Sequence, residues 1–386
     1  MKVYSGVGLG SFYQELFADL IAHGRQVTVR DRRCIEMTVP VVLQYETPGA
    51  CFMKIPGRRF NIFFALAEVI WILSGNGNVE WISFFNSNMR KFADEGQPDF
   101  HGAYGKRIRD CRGSYVGHSI YVDQIEAVCN KLKEDPFSRQ AIISLWDPIS
   151  DNKPESNDYP CNNWVAFSLR DGKLNMSVAI RSNDIIWGTP YNAVQFTHLL
   201  ALVAGNLGVQ CGAITYFVQN LHVYAEYEGR GTIHDAILIH PSDTNQSDAL
   251  GSVVRSVGVQ GLVACKISSF EPISDEKLKP TIDYVNQLVE AYGKGNLVDP
   301  LHYANILPGV GYWGLLIPKM LLIYCSVKTG AVFTPDQYAW LMGSIASLPE
   351  LFKWLVLDFY KGQIDKNPLA KEIVLKFRKE EPNHVG

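Results

Sequence analysis

The sequence contains no CxxC pair and no HExxH motif, although it carries eight cysteines, at positions 34, 51, 111, 129, 161, 211, 265 and 325 of 386 residues. Thiols scattered in this way argue against a disulfide framework and a structural zinc site, and favour a reducing compartment. No metal is expected. A long uninterrupted apolar run is also missing. The most apolar stretch, ILPGVGYWGLLIPKMLLIYCSV, holds two prolines, three glycines and Lys319, which predicts buried core helices rather than a membrane span. No basic tail or stripe accompanies the net charge of -3, so neither nucleic acid nor a membrane is an expected partner. MKVYSGVGLGSFYQELFADLI lacks the basic-then-apolar order of a signal peptide, and a cytoplasmic protein is expected.

What is present is a chain with 47% apolar residues, long enough for two or more cores. Residues 8–24 place Phe12, Leu16, Leu20 and Ile21 at helical spacing. VPVVLQY (39–45) and ACFMKI (50–55) predict strands, and NIFFALAEVIWILSG (61–75) a long helix stopped by glycine. A helix is expected over 114–132, then a strand in RQAIISLWDP, a loop over 147–160, and strands in NWVAFSLRDG and LNMSVAIRS. AVQFTHLLALVAGNLG predicts a helix with a glycine stop, and AITYFVQNLHVY a single strand rich in aromatic and β-branched residues. Further strand is expected in 245–265, and the charged SDEKLKPT (274–281) predicts a boundary. Beyond it, TPDQYAWLMGSIAS, LPELFKWLVLDFYKG and LAKEIVLKFRKE predict helices, the first two opening on cap or proline signals.

Several residues invite a chemical reading, each with a plainer rival. In DYPCNNW (158–164), Cys161 follows a proline in the most polar loop of the chain, and is either an incidental surface thiol or a nucleophile. Glu68 interrupts an apolar helix, where a carboxyl costs desolvation unless it faces a polar cavity or serves chemistry. Arg181 and Ser182 end a strand and offer a phosphate a fork and a short donor, or form a surface ion pair. Asn192 could read an imide edge, but taken alone it is better explained as the cap of the following helix. His222 and Tyr224, two apart, share a strand face and could hold one ligand hydroxyl or line a core edge.

In combination and order, these pieces resemble thymidylate synthase and its pyrimidine hydroxymethylase relatives. The likeness runs from about residue 25 to about residue 235, through ALAEVIWILSGNGN, FADE…HGAYGKRIR, DPFSRQAIISLW, Pro160-Cys161, RSNDIIWGTPYN and HVY at 222–224. The resemblance implies an α+β fold, a mixed β-sheet sandwiched with helices over residues 1–275, followed by an all-helical extension over 281–386 that matches nothing familiar. It implies that Cys161 is the nucleophile at C6 of the pyrimidine, Glu68 the acid/base glutamate and Tyr104 part of the proton-transfer network. Arg181 and Ser182 match phosphate ligands, as do Arg30 on a mobile segment and Arg139, lent across a homodimer interface. Asn192 matches the uracil reader, His222 and Tyr224 the pair on the deoxyribose hydroxyl, and Asp184 the aspartate that faces the folate cosubstrate, 5,10-methylenetetrahydrofolate.

The reason for these residue types is that uracil C5 is a poor nucleophile. Thiolate addition at C6 makes it an enolate able to attack a one-carbon donor, and an arginine beside Cys161 is expected to favour the thiolate. Loss of tetrahydrofolate then leaves an exocyclic methylene on the base. Hydride capture gives thymidylate and dihydrofolate; water capture gives the 5-hydroxymethyl nucleotide and tetrahydrofolate. The sequence departs from the synthases in ways that bear on this choice. Asn162 follows the cysteine where they carry histidine, Met89 stands in the register of a tryptophan, and Asp158 replaces an apolar residue. Trp187 replaces a leucine and Gln140 an interface arginine. Met89, Asp158 and Asn162 predict a wetter wall able to orient water, and Asn192, rather than aspartate, predicts dUMP rather than dCMP. The expected activity is therefore deoxyuridylate hydroxymethylation, as in viruses that replace thymine with 5-hydroxymethyluracil; the cytoplasm would then be the host's. Thymidylate synthesis is the alternative, and a nucleotide-binding or interaction protein with a vestigial site is the alternative from a different class.

Overall fold

The structure, a computed structural model, describes residues 1–54, 60–115, 118–152, 156–224, 263–265, 270–296, 299–329 and 333–377. Strand β1 (Lys2–Gly6) leads through a helical turn into α1 (Tyr13–His23), which buries Tyr13, Leu16, Phe17 and Leu20 on one face. A hairpin follows, β2 (Arg25–Val29) and β3 (Arg32–Glu36), whose two-residue turn holds Arg30 and Asp31 at φ 50 and 60°. Such left-handed pairs match the twist of the flanking strands, although they strain residues other than glycine. Next come β4 (Val41–Tyr45), β5 (Phe52–Lys54) and α2 (Ile62–Leu73). Asn61 caps α2 by accepting from the Phe64 N–H at 3.0 Å, and Gly75 at φ 77° ends it.

Helices α3 (Val79–Ser83) and α4 (Tyr104–Arg109) are followed by a hairpin of β6 (Cys111–Tyr115) and β7 (His118–Val122), then α5 (Gln124–Glu134). The helix expected over 114–132 therefore begins only at Gln124, where Asp123 supplies the cap that the hairpin residues cannot. Strands β8 (Ile142–Ser144), β9 (Asn162–Arg170), β10 (Lys173–Ile180) and β11 (Asn183–Asp184) precede the long helix α6 (Gly188–Leu207). The strand expected over 213–224 divides into β12 (Gln210–Val218) and β13 (Leu221–Tyr224), because the chain leaves one sheet for another at Gln219 and Asn220. The strand expected within 245–265 falls mainly outside the described residues; β14 (Val263–Cys265) pairs with β5.

The main sheet has the order β1-β4-β12-β10-β9-β8, with parallel β1/β4 and β10/β12 pairs and antiparallel pairs elsewhere. One face is buried by Val165, Phe167, Met176, Val178, Ile214 and Tyr216, with α6 packed near β10 and β12. A smaller sheet, β11-β13-β3-β2, stands beside it. The mixed sheet and its helices are the α+β arrangement expected.

Within the stretch expected to be a boundary, 274–281, a helix begins, α7 (Asp275–Gly293), with Pro280 inside its first turns. Its first residue is pinned to the end of α6: Asn206 Nδ2 donates to Asp275 Oδ2 at 2.6 Å and the Asp275 N–H donates back to Asn206 Oδ1 at 2.8 Å. The backbones pass so closely here that a Cβ on Gly205 would sit 2.1 Å from the Ile273 carbonyl carbon. Then come α8 (Pro300–Ala304), a π-helical turn (Tyr312–Leu316), α9 (Ile317–Lys328), α10 (Pro335–Ala346), α11 (Glu350–Lys361) and α12 (Pro368–Phe377). The interrupted apolar run is thus largely helical and buried, and among the described residues no helix is long and apolar enough to cross a membrane. These helices join the same hydrophobic core as α2 and α6. The Phe63 ring lies 5.2 Å from Tyr324 and 5.3 Å from Phe359, and Phe52 lies 5.3 Å from Phe352.

Candidate active site

Cys161 sits half-buried on the last residue before β9. Three N–H donors from its immediate surroundings converge on the Tyr104 hydroxyl oxygen at the start of α4: Cys161 N at 3.1 Å, Asn162 N at 3.2 Å and Asn162 Nδ2 at 2.9 Å. They fill the oxygen's acceptor capacity, so Tyr104's own proton points away from all three. Asn162 Nδ2 also faces Asn192 Oδ1 at 3.4 Å, and Asn192 Nδ2 donates to Asn183 Oδ1 at 3.2 Å. A row of three amides therefore crosses from the thiol's neighbour to α6. Asn192 does not cap α6. The helix begins at Gly188, where Asp184 Oδ1 accepts from the Ile186 and Trp187 N–H groups at 2.7 and 2.9 Å, leaving Asn192 inside the helix with its side chain in the amide row.

Arg181 favours the Cys161 thiolate, in the direction expected of a neighbouring arginine, but burial opposes it more strongly. Burial pushes the Cys161 thiol above its ordinary range, Arg181 and Arg30 pull it down, and Asp158 pushes it up. Arg181 is occupied with the loop that carries the cysteine. Its Nε donates to the Pro160 carbonyl at 2.9 Å and its Nη2 to the Tyr159 carbonyl at 3.2 Å, while its backbone N–H donates to the Cys161 carbonyl at 2.9 Å. The same loop is clamped from the FADE segment, where Asp94 accepts from Ser156 Oγ and the Asn157 N–H, both at 2.8 Å. Asp158 accepts from the Gly102 N–H at 2.8 Å, and burial raises its carboxyl above the usual range. A Cβ on Gly102 would meet that carboxylate at 3.0 Å, which explains the glycine there.

Glu68 projects from the middle of α2. Burial raises its carboxyl to about 7, only partly offset by a hydrogen bond from Gln195. Gln195 lies three residues beyond Asn192 and so shares its side of α6. Glu68 Oε2, Gln195 Oε1 and Asn162 Oδ1 are all buried with no hydrogen-bond partner among the described residues. Each such atom costs ~1–3 kcal/mol when left unmet. Unmet buried acceptors of this kind are what a polar ligand would satisfy.

His222 and Tyr224 stand on β13 with ring centroids 5.1 Å apart, the shared face that their spacing predicts. Burial lowers the His222 imidazole, which is neutral near pH 7. Its Nδ1 lies 2.9 Å from Asn220 Oδ1. Arg32 lies over the Tyr224 ring at 4.0 Å. Asp184 is cross-strand partner to His222, which joins the expected folate-facing residue to the hydroxyl pair. Ser182 is half-buried after β10, and Trp187 is 37% exposed at the mouth of α6. Met89 packs half-buried against the core on the helical turn Ser87–Phe92. Arg30, at the tip of the β2/β3 turn, bears on both Cys161 and Tyr224. Arg139 is not part of this cluster's hydrogen-bond network; it is exposed just before the edge strand β8.

Asn183, Gln195 and Asn220 escaped the sequence reading. Asn183 lay in plain view within RSND, but nothing in one sequence says that its side chain turns toward Asn192. Gln195 was readable only as a polar interruption three residues after Asn192. Among the described residues no cluster of His, Cys, Asp and Glu could hold a metal ion, and the seven described cysteines are all free thiols.

A family model described as thymidylate synthase matches residues 11–242. The chain is 32% identical over 298 residues to a protein of Bacillus phage SP01 named deoxyuridylate hydroxymethyltransferase, covering 76% of this chain and 73% of that relative. Two proteins of the same name, from Pseudomonas phage M6 and Delftia phage PhiW-14, are 36% and 30% identical over 189 and 188 residues. Those alignments cover 48% and 46% of this chain, and 51% and 49% of the relatives.

Proposed function

Because the chain belongs to the thymidylate synthase family, we propose that it attaches a one-carbon unit to C5 of dUMP and completes the reaction with water, giving 5-hydroxymethyl-dUMP and tetrahydrofolate. The observation that carries this reading is the polar wall beside the thiol. Asn162 is buried, bonded to Tyr104, and retains an Oδ1 unmet among the described residues, while the half-buried carboxyl of Asp158 stands three residues before Cys161. Water is held by acceptors and donors of this kind, and the similar phage proteins carry the matching name.

The chain's own residues divide the work. Cys161 must lose its proton before it can add to C6, against the burial that raises it, so a proton acceptor has to take that proton as the sulfur attacks. Glu68, near neutrality at about 7, can both hold and release a proton at physiological pH. Tyr104 keeps a proton aimed away from its three donors. Asn192 offers its remaining acceptor and donor capacity to the uracil edge. Ser182, Arg181 and Arg30 gather at the phosphate end, and His222 and Tyr224 hold the sugar hydroxyl. Asp184, Met89 and Trp187 form the folate side. 5,10-Methylenetetrahydrofolate supplies the carbon and leaves as tetrahydrofolate; no metal is needed.

The second copy in a homodimer would cover the outer face of the main sheet, which exposes Trp164 at 37%, Phe217 at 42% and Ile142 at 52%. Trp164 and Phe217 flank Ala179 across three strands, and Arg139 beside β8 would reach the partner's phosphate site from there. Residues 1–275 form the catalytic part and 281–386 a helical extension, in a cytoplasmic protein.

The test is a product assay. Purified protein is incubated with dUMP and methylenetetrahydrofolate, and the nucleotides and folates are resolved by mass spectrometry. 5-Hydroxymethyl-dUMP with tetrahydrofolate is expected. Thymidylate with dihydrofolate would overturn water capture, and bound but unconverted dUMP would favour a binding role.

A further inference from the structure

Behind His222 runs a chain of side chains that the proposed chemistry does not use. Arg25 donates to Glu36 Oε1 through Nε at 2.8 Å and Nη2 at 2.6 Å. Asn220 Nδ2 donates to Glu36 Oε2 at 2.6 Å, and Asn220 Oδ1 lies 2.9 Å from His222 Nδ1. Glu36 and His222 are cross-strand partners on β3 and β13, so the sheet register sets their separation. The direction of every hydrogen bond in this chain is forced. The Asn220 hydrogen bond, and then Arg25, hold Glu36 below the usual carboxylate range, and an ionised carboxylate only accepts. The Asn220 atom facing it must be the amide nitrogen, and the amide oxygen must face His222. That oxygen also only accepts, so Nδ1 carries the proton. A neutral imidazole protonated at Nδ1 presents a bare Nε2.

We infer that Asn220, backed by Glu36 and Arg25, is a positioning residue that fixes His222 as a hydrogen-bond acceptor at Nε2 and restricts this end of the site to a ligand group that donates. A sugar hydroxyl meets that requirement. A phosphate ester, a keto group or an unsubstituted carbon at the same place leaves Nε2 unmet. That the donor is the 3′-hydroxyl of deoxyribose rests on the dUMP reading; the tautomer does not.

The experiment uses the full chain labelled with ¹⁵N-histidine, without ligand, at pH 8. His222 resonances are identified by their loss in His222→Gln. A protonated Nδ1 and a bare Nε2 are expected; a protonated Nε2 overturns the inference, whatever dUMP does. Glu36→Gln removes the group that orders the chain, so Asn220 can turn its nitrogen toward His222, and a protonated Nε2 should appear. Combining it with Asn220→Asp should restore the original tautomer, because the new carboxylate can accept only from Nδ1 and Gln at 36 can donate to it. Rescue of this kind would not follow from a packing role, and its absence would overturn the relay. In parallel, wild-type protein should prefer dUMP to its 2′,3′-dideoxy analogue by about 10- to 100-fold, mostly in KM. Glu36→Gln should reduce that preference to about threefold or less, and the double variant should recover it. An unchanged preference despite an altered tautomer would overturn the claim about specificity. Failure of the wild type to bind dUMP would remove the nucleotide reading and leave the tautomer result standing.

Discussion

Helix α2 separates two regions built in opposite ways. Glu68 and Phe63 are five residues apart, which turns them roughly 140° from each other around the helix axis. On the Glu68 side lie buried polar atoms without partners, a raised carboxyl and a chain of amides. On the Phe63 side lie rings, with Tyr324, Phe359 and Tyr360 centred within 5.2 to 5.6 Å, and there the Tyr360 hydroxyl is the polar atom buried without a partner among the described residues of this ring cluster. Hydrogen bonds that cross to the C-terminal helices involve side chains and backbone alike: His198 Nε2 lies 2.6 Å from the Tyr312 hydroxyl, and Trp81 Nε1 donates to Asn286 Oδ1 at 3.1 Å. The Tyr324 hydroxyl donates to the Phe84 and Phe85 carbonyls at 3.2 and 3.1 Å, and Lys328 reaches the Phe84 carbonyl. The lesson is a division of labour. The site keeps polar groups desolvated and unmet, which costs stability, and apolar burial on the other side of the same helix offsets it.

The largest expected effect separates chemistry from packing. Cys161→Ala should lower turnover ~10⁴-fold or more while dUMP affinity stays within about threefold, as measured by single-turnover kinetics and calorimetry. Indifference of turnover to this change would collapse the distinction between the two regions. On the opposite side, Phe352→Ala removes a ring buried against Phe52 and should cost ~3–5 kcal/mol in denaturant melts. Its kcat per folded molecule should be unchanged; a fall in kcat at full folding would show that the helical layer acts in the chemistry.

Glu68→Gln sharpens the comparison because the two readouts move oppositely. Its carboxyl titrates near 7 when folded and near 4.5 when unfolded, so the folded state binds the extra proton and stability declines as pH rises across that window. The variant should be more stable than wild type above pH 8, by at most about 3.5 kcal/mol at ~1.4 kcal/mol per pKa unit, with no gain below pH 4. Its activity should fall ~10²- to 10⁴-fold. Thermal melts across pH 4 to 9 would reveal a flat difference if the burial assigned to Glu68 is wrong. The smallest effect is expected for Tyr324→Phe, about 1 kcal/mol for the lost hydroxyl. If the C-terminal helices also set the segment that carries Met89, KM for the folate should rise a few-fold while KM for dUMP holds; equal changes in both would limit Tyr324 to stability.

Much was legible without the fold. The apolar periodicity of 61–75, its glycine stop and the strands around Cys161 follow from local propensity, and α2, β9 and β10 form close to where these predict. The spacing of His222 and Tyr224 puts them on one face because a strand alternates every two residues. The order of motifs was enough to indicate the family, because each motif is contiguous in the chain. Local signals failed at 114–122, where a hairpin replaces the expected helix, and at Asn192, whose helix starts upstream at Gly188. At 274–281 the charged stretch that predicts a boundary begins a helix, and its tie to Asn206 is a contact that no local signal announces.

The sequence by itself determined which elements form and which reactive groups the chain owns. Helix and strand formation, turn chemistry and the identity of a thiol or carboxyl are local properties. Only the tertiary structure decided the state of those groups. Cys161 is raised because burial outweighs two arginines, Glu68 is raised because burial outweighs its hydrogen bond with Gln195, and the His222 proton is assigned by Glu36, 186 positions earlier in the chain. Desolvation and hydrogen-bond direction depend on which atoms meet in space, and residues that touch across a sheet need not lie near one another in the chain.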